Sequence, residues 1–499
     1  MSQLQGSAGA ASIPLLARLP RLSPALWITA LILAAAAALL PGLWTLPSLV
    51  ALAACLLMLL KPEVAVYLLT LSVPLGSLAE LEVGSFTVSP TEVLTGLLVL
   101  GWALRSLTRR RIILPFTPLS IPLTLMVGWI ALSAFQATSI ALTIKETLKW
   151  LELALVYLFI ISEMGSLRQA LTLVVLMLAG AGIEALVGSV QFALGIGPDF
   201  FAIGRFMRAY GTFDQPNPFA GYLAMLIPLA IGVLLARPKR WLNYYLLAVG
   251  TVAVAAVGMS LSRGAWIGIG LGIALMMAFW SRRTRVLLAT GTVATAPVAA
   301  LAFLNLLPDE VTSRLATALD YFRVVDVTQE AVTTQNWAVM ERMAHWQAAL
   351  DMIARNPIFG VGAGNYPVAY EWYALPGWVL PLGHAHNFYL NIAAETGIPG
   401  LVFYTLFVAT AILSAVVWLA RKRSRPDQEG QQETIARLLW RGILLGVLGG
   451  LVASSVHNLF DSLFVHSMSV QLGMLLALAQ LAASALATPS STGVNQLHE

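Results

Sequence analysis

Two histidines and an asparagine, His384, His386 and Asn387, stand where a long polar stretch meets the apolar run that begins at Phe388. A neutral imidazole can take a proton from a hydroxyl, so His386 is a candidate general base, with His384 and Asn387 as supporting groups. A histidine near a membrane interface is more often structural. The doubled His384/His386 and the arginines in neighbouring polar stretches shift that balance. Arg263 is flanked by Ser262 and Gly264 at a helix boundary, and Arg342 lies one turn from Trp346. A guanidinium offers a planar fork of donors that fits phosphate oxygens. The plainer roles are an interfacial anchor for Arg263 and a solvated helix face for Arg342.

Metal chemistry is the weaker possibility. His384 and His386 could supply two zinc ligands, but no acid at standard spacing completes a set. Cys55, the single cysteine, lies inside an apolar run. His457 and Asp461 might join, yet their four-residue spacing is also plain helix geometry. The expectation is no metal and no cofactor.

The elements that must position these residues are membrane helices. The 499 residues are 58% hydrophobic and 11% charged, with a mean hydropathy of +0.81. A soluble chain carries roughly 25% charge, so lipid is the main solvent here. Apolar runs recur at 25–40, 45–60, 63–80, 90–105, 116–135, 146–162, 169–193, 218–236, 241–260, 265–280, 286–306, 387–420, 437–456 and 463–486. Each is about the length that crosses a bilayer as a helix. The short alternating segments of a barrel are absent from the sequence. The fold class expected is an all-α polytopic membrane protein with about 12–14 transmembrane helices.

Basic residues orient the chain. Clusters at Arg105/Arg109/Arg110/Arg111, Arg237/Lys239/Arg240, Arg282/Arg283/Arg285 and Arg421/Lys422/Arg423/Arg425 are separated by even numbers of spans. All four fall on one side, which the positive-inside rule makes cytoplasmic. Residues 1–24 then read as a cytoplasmic tail, 25–193 as N-terminal transmembrane helices, and 421–486 as C-terminal ones. Residues 487–499, rich in Ser and Thr, read as a disordered tail. The opposite side collects 194–217, the Ser262-Arg263-Gly264 turn, a loop over 307–386, and the stretch from His457 to Asp461. Most polar residues with no anchoring role lie there, which places an active site on the outer face.

A loop of about 80 residues is too long for a simple connector. Within it, Glu341–Ile353 reads as an amphipathic helix, with Met343, Trp346, Leu350 and Ile353 on the apolar face. Such a helix would lie along the membrane and roof a cavity. Gly360-Val361-Gly362-Ala363-Gly364-Asn365 follows and lacks the Gly-Lys-Ser/Thr ending of a nucleotide loop. Tight turning beside the histidines explains it better than ligand contact. Trp372, Tyr373 and Trp378 suit sugar stacking and an interfacial belt equally.

These pieces, in order, resemble the O-antigen ligase and O-antigen polymerase superfamily of bacterial inner-membrane glycan transferases. The resemblance runs over about 200–400, within a core of 194–420. It rests on Gly211-Thr212-Phe213, Pro216-Asn217-Pro218-Phe219, Ser262-Arg263-Gly264-Ala265-Trp266, Arg342 with Trp346, and Asn356-Pro357 leading to the glycine-rich turn. The ligase signature is complete: His386-Asn387, nine residues, Gly397, two residues, Gly400. Residues 1–190 match only as hydrophobic spans.

The resemblance implies a metal-independent, inverting glycosyltransferase of the C type, working at the periplasmic face of the inner membrane. The donor would be a glycan on a polyprenyl diphosphate. The acceptor would be lipid A-core for a ligase, or a second lipid-linked glycan for a polymerase. His386 would be the essential histidine. Arg263 and Arg342 would hold the diphosphate, with Arg208 as a third. The complete signature favours ligase over polymerase. A protein-directed oligosaccharyltransferase would often bring extra domains, and none is visible. The rival from another class is a flippase of lipid-linked sugars, which often shows an internal repeat. None is seen, and the polar residues are lopsided toward one face. A scaffold protein is the remaining alternative. No feature points to nucleic acid.

Overall fold

The computed structural model describes residues 42–83, 86–111, 114–290, 326–333, 336–421 and 431–487. The expected N-terminal tail, the span at 25–40, nearly all of 286–306, the first part of the 307–386 loop, Lys422, Arg423, Arg425 and the tail from 488 lie outside them.

The described chain is helical: α1 (Gly42–Leu60), α2 (Pro62–Leu75), α3 (Pro90–Arg109), α4 (Ser120–Leu132), α5 (Ile140–Glu163), α6 (Leu167–Leu194), α7 (Pro216–Leu235), α8 (Arg240–Ser260) and α9 (Arg263–Trp280). Then come α10 (Trp337–Arg355), the single turn α11 (Tyr366–Ala369), α12 (Phe388–Ala420), α13 (Gln431–His457) and α14 (Met468–Ala487). Two small antiparallel ribbons, β1–β2 (Leu81–Val83, Phe86–Val88) and β3–β4 (Ala202–Ile203, Phe206–Met207), are the only strands among the described residues. Among the described residues, eight helices are long and apolar enough to cross a membrane, and each falls on an expected span. The protein is polytopic and all-helical.

Helix starts follow local chemistry. Ser89 and Glu92 form a reciprocal capping box on α3, and Ser166 with Gln169 does the same on α6. These side chains satisfy backbone donors that a helix start leaves open. At one end of the bundle, Arg105 pairs with Glu63 (2.9 Å) and Glu163 (3.2 Å). The 237–240 cluster, and the clusters beginning at Arg282 and Arg421, stand at the ends of α7, α9 and α12 remote from His386.

Glycines set how the central helices meet. A Cβ on Gly446 would lie 2.6 Å from the Leu229 Cα, and Cβ atoms on Gly268 and Gly272 would overlap the Ala453 and Gly449 carbonyls. So α13 packs backbone to backbone against α7 and α9, the small-residue packing that membrane helices use for close approach. This contact fixes the last turn of α13, His457, against the first residues of α7 and α9.

α12 is interrupted at Gly397, where φ is 73° and ψ −178°. Only glycine occupies that region without strain, and a Cβ would overlap the Ile358 carbonyl. Pro399 and the Ile398 N–H, which donates to the Pro357 carbonyl (2.8 Å), complete the break. Gly397→Ala is expected to destabilise the protein by at least about 1–3 kcal/mol from backbone strain alone. Thermal unfolding in detergent would show it, and an unchanged midpoint would mean the break is adaptable.

Candidate active site

The site is assembled where α12 begins. Asn387 is its N-cap: the side-chain Oδ1 accepts from Tyr389 N–H (3.0 Å) and Leu390 N–H (3.2 Å). The asparagine of the signature is therefore an anchor that sets the direction of the preceding residue. His386 sits at φ 51°, an uncommon conformation for a residue with a side chain. Its backbone N–H donates to His384 Nδ1 (3.1 Å), which leaves the His384 proton on Nε2. That Nε2 faces Asp461 Oδ1 at 3.5 Å, and His386 Nδ1 faces the same oxygen at 3.6 Å.

Asp461 is 2% exposed and belongs to the turn that follows α13. Phe388 N–H donates to the Asn458 carbonyl (2.8 Å) and to the Asp461 carbonyl (3.1 Å), tying that turn to the start of α12. Asn217 Nδ2 donates to Asp461 Oδ2 (2.6 Å), and Arg208 Nη2 donates to Asn217 Oδ1 (2.9 Å). Arg208 Nε also donates to the Ser260 carbonyl (2.7 Å). A continuous polar chain thus runs from Arg208 through Asn217 and Asp461 to the two histidines. Burial pushes the Asp461 carboxyl up, but His386 and the fields of His384 and His457 outweigh it, holding the carboxyl well below its usual range.

The other arginines approach on separate elements. Arg263 is the first residue of α9, exposed, at a helix N-terminus whose dipole favours anions. Ser262 Oγ lies 3.2 Å from His457 Nε2, and a Cβ on Gly264 would come 2.6 Å from His457 Cδ2. The Ser262-Arg263-Gly264 turn is therefore pressed onto the base of the Asp461 turn. Arg342 is on α10, one turn before His345, whose ring centroid is 5.5 Å from that of His386. His345 stacks on Tyr370 (4.5 Å) and its Nδ1 is 3.0 Å from the Tyr366 hydroxyl.

Sequence reasoning missed His345, Asn217 and Tyr366 as parts of this site. It considered Asp461 only as a doubtful metal ligand. The missing acid at standard spacing comes from 75 residues downstream of His386, so no local pattern could supply it. His384, His386 and Asp461 offer ligand atoms all within 4.8 Å of one another, a set that could hold a divalent cation.

The roof differs in detail. The buried stripe of α10 includes Met343 and Met352 with Ala344, Ala348 and Ala349, while Leu350 is 53% exposed. Alanines carry little weight in a hydropathy pattern but allow close packing. Gly360, Gly362 and Gly364 all have positive φ. Asn365 Oδ1 accepts from Ser139 N–H (2.6 Å), and Val361 N–H donates to the Ala394 carbonyl (2.9 Å). The glycine-rich turn clasps the roof to α5 and α12. Trp378 packs on Trp337 (4.7 Å) and Tyr373 accepts from Asn356 Nδ2 (2.9 Å), so both brace the roof, whereas Trp372 is 62% exposed.

Burial, with neighbouring His386 acting in the same direction, holds the His345 and His384 imidazoles down to about 3 and about 4, in His384 against the upward pull of Asp461. The folded protein therefore prefers them neutral. That contribution is complete above the ordinary value near 6.5 and is lost as pH falls toward 4. The melting temperature in detergent is expected to drop between pH 6.5 and 4, and His345→Gln should flatten the slope. A flat profile in the wild type would contradict the assignment.

Fold and site together define a polytopic helical membrane protein with a polar, histidine-bearing site at one end of the bundle. Residues 249–405 match the family model for O-antigen ligase, a family of membrane glycan transfer of the ligase or polymerase type. The match takes in Arg263, Arg342, His384, His386, Asn387 and both signature glycines, and leaves out Arg208 and Asp461. No curated protein matches the chain.

Proposed function

We propose that the chain is a ligase-type, inverting glycosyltransferase that moves a glycan from a polyprenyl diphosphate to an acceptor at the periplasmic face. The observation that carries this reading is at His386. Its Nε2 is buried and has no hydrogen-bond partner among the described residues, while Nδ1 faces Asp461. A ring held by a carboxylate on one nitrogen leaves the other to take a proton. The acceptor hydroxyl attacks the anomeric carbon, its proton passes to Nε2, and the bond from that carbon to the diphosphate oxygen breaks. Negative charge then grows on the diphosphate, where Arg263, Arg342 and Arg208 stabilise it more than in the ground state.

Asp461 would act through His386 as a positioning residue. Asp461→Asn is expected to lower kcat about 100-fold with the KM for donor little changed. A rise in donor KM alone would place Asp461 in binding instead.

Reconstitution tests the whole reading. Purified protein receives a polyprenyl-diphosphate oligosaccharide in liposomes, with or without lipid A-core, in chelator. Product only with lipid A-core supports a metal-independent ligase. Longer lipid-linked glycan without it would make the protein a polymerase. Activity restored only by a divalent cation would favour the second reading of His384, His386 and Asp461 as a metal site. No product with intact donor would move the flippase rival forward.

A further inference from the structure

A cavity of about 980 Å³ lies beside the histidine site between α3, α5 and the turn that follows α2. Its size is that of a ligand pocket. One rim is formed by Phe464, Val465, His466 and Ser467, a few residues after Asp461 on the same connection. Phe464 meets Phe388, two residues after His386, edge to face with ring centroids 4.7 Å apart. Gly364 of the roof clasp also touches the cavity. The cavity and the catalytic histidine are thus held on two sides of one short turn.

The wall is graded. Near the His386 end it carries Glu80, Ser89 and Glu92, and down α5 it carries Lys145, Lys149 and Glu152. At 1.5 Å per residue, Glu152 lies about 10 Å deeper than Lys145. Below and beside these are Val99, Leu100, Ala103, Leu148, Leu151 and Leu155. Leu100 and Leu148 are 49% and 51% exposed, so this wall opens to the surrounding lipid. A polar crown over an apolar, lipid-open wall matches an amphiphile. Thr95, 3% exposed, also borders the cavity.

The side chains of the wall select the occupant. Four acidic side chains (Glu80, Glu92, Glu146, Glu152) and two lysines (Lys145, Lys149) line it, with Lys149 ion-paired to Glu146 (2.9 Å). No arginine is among these lining residues, and the diphosphate belongs with the arginines. Carboxylates do accept hydrogen bonds from sugar hydroxyls. Resting on the glycan-transfer reading, we propose that this cavity is the acceptor site, holding the lipid-proximal, hydroxyl-rich head of a glycolipid whose distal glycan reaches His386 over the Phe464–Ser467 rim.

Gly96 offers a direct test, because it lines the cavity and a Cβ there meets nothing within 4 Å. Gly96→Trp projects a large side chain into the space from a position where a Cβ meets no atom, and Glu152→Gln removes an acidic group from the wall. The probe is lipid A-core, read by native mass spectrometry of the detergent-solubilised protein and, separately, by transfer kinetics. Lipid retained by the wild type and lost at least about tenfold in Gly96→Trp, with the melting temperature unchanged, is the expected result. In kinetics the KM for acceptor should rise about tenfold in Gly96→Trp and severalfold in Glu152→Gln, with the KM for donor constant. Equal retention by wild type and Gly96→Trp, no retention by the wild type, or a matching rise in donor KM would overturn the proposal. Binding that depends on Gly96 in a protein that transfers nothing would leave the cavity assignment standing and remove the transfer reading.

Discussion

His386→Ala is expected to lower glycan transfer about 10²–10⁴-fold while the polyprenyl-diphosphate donor still binds. The size follows from the role: without a base, the acceptor hydroxyl must lose its proton to solvent in a site that α10 roofs over. The imidazole is also hard to replace. It is held at a positive φ by the Asn387 cap, with Nδ1 at 3.6 Å from Asp461 and Nε2 buried and unpartnered. His386→Gln keeps much of the shape and some hydrogen bonding but cannot take a proton, so it should fail nearly as badly. Initial rates and donor retention on the same preparations would check this. Near-normal transfer in either variant would remove His386 from the chemistry and return it to a structural role. A flippase would barely notice the change.

Arg263→Ala and Arg342→Ala should each lower kcat/KM for transfer by about 10²–10³-fold, the usual cost of losing one fixed group opposite a developing anion. Arg263 stands at the exposed N-terminus of α9, and Arg342 one turn from His345 on the roof. The two approach the same end of the bundle from elements far apart in sequence. Lysine at either position should restore only part of the activity, since an ammonium lacks the planar fork. Full recovery with lysine would reduce the role to simple charge. Arg208→Ala should act differently, because Arg208 also supports Asn217 and through it Asp461. Its loss should lower kcat by disturbing His386 as well as weakening the hold on the diphosphate.

Much of this architecture is written locally. Long apolar runs in a chain with 11% charge specify membrane helices, because an unpaired backbone has no partner in lipid. The eight described helices long enough to span a membrane fall on the runs for that reason, and the capping pairs Ser89/Glu92 and Ser166/Gln169 are visible as short-range patterns. The signature glycines are legible as well. Gly397 breaks α12 where no side chain fits, and its nearest neighbours are only about 40 residues earlier, in the Pro357-Ile358 turn.

The sequence alone also singled out the histidines and arginines as candidates, since ionisable groups at apolar boundaries are rare enough to be informative. What it could not decide was how they connect. Asp461 reaches His386 because α13 packs by its glycines against α7 and α9, bringing its end to Asn217 and Ser262. His345 reaches it because the glycine-rich clasp folds the roof back over α12. Thr95 and Glu152 border one cavity because α3 and α5 face each other there. Hydropathy and spacing report each segment's preference for lipid or water. The pairing of a carboxylate with an imidazole depends on which helix faces come within 4 Å, and only the packed tertiary structure sets that.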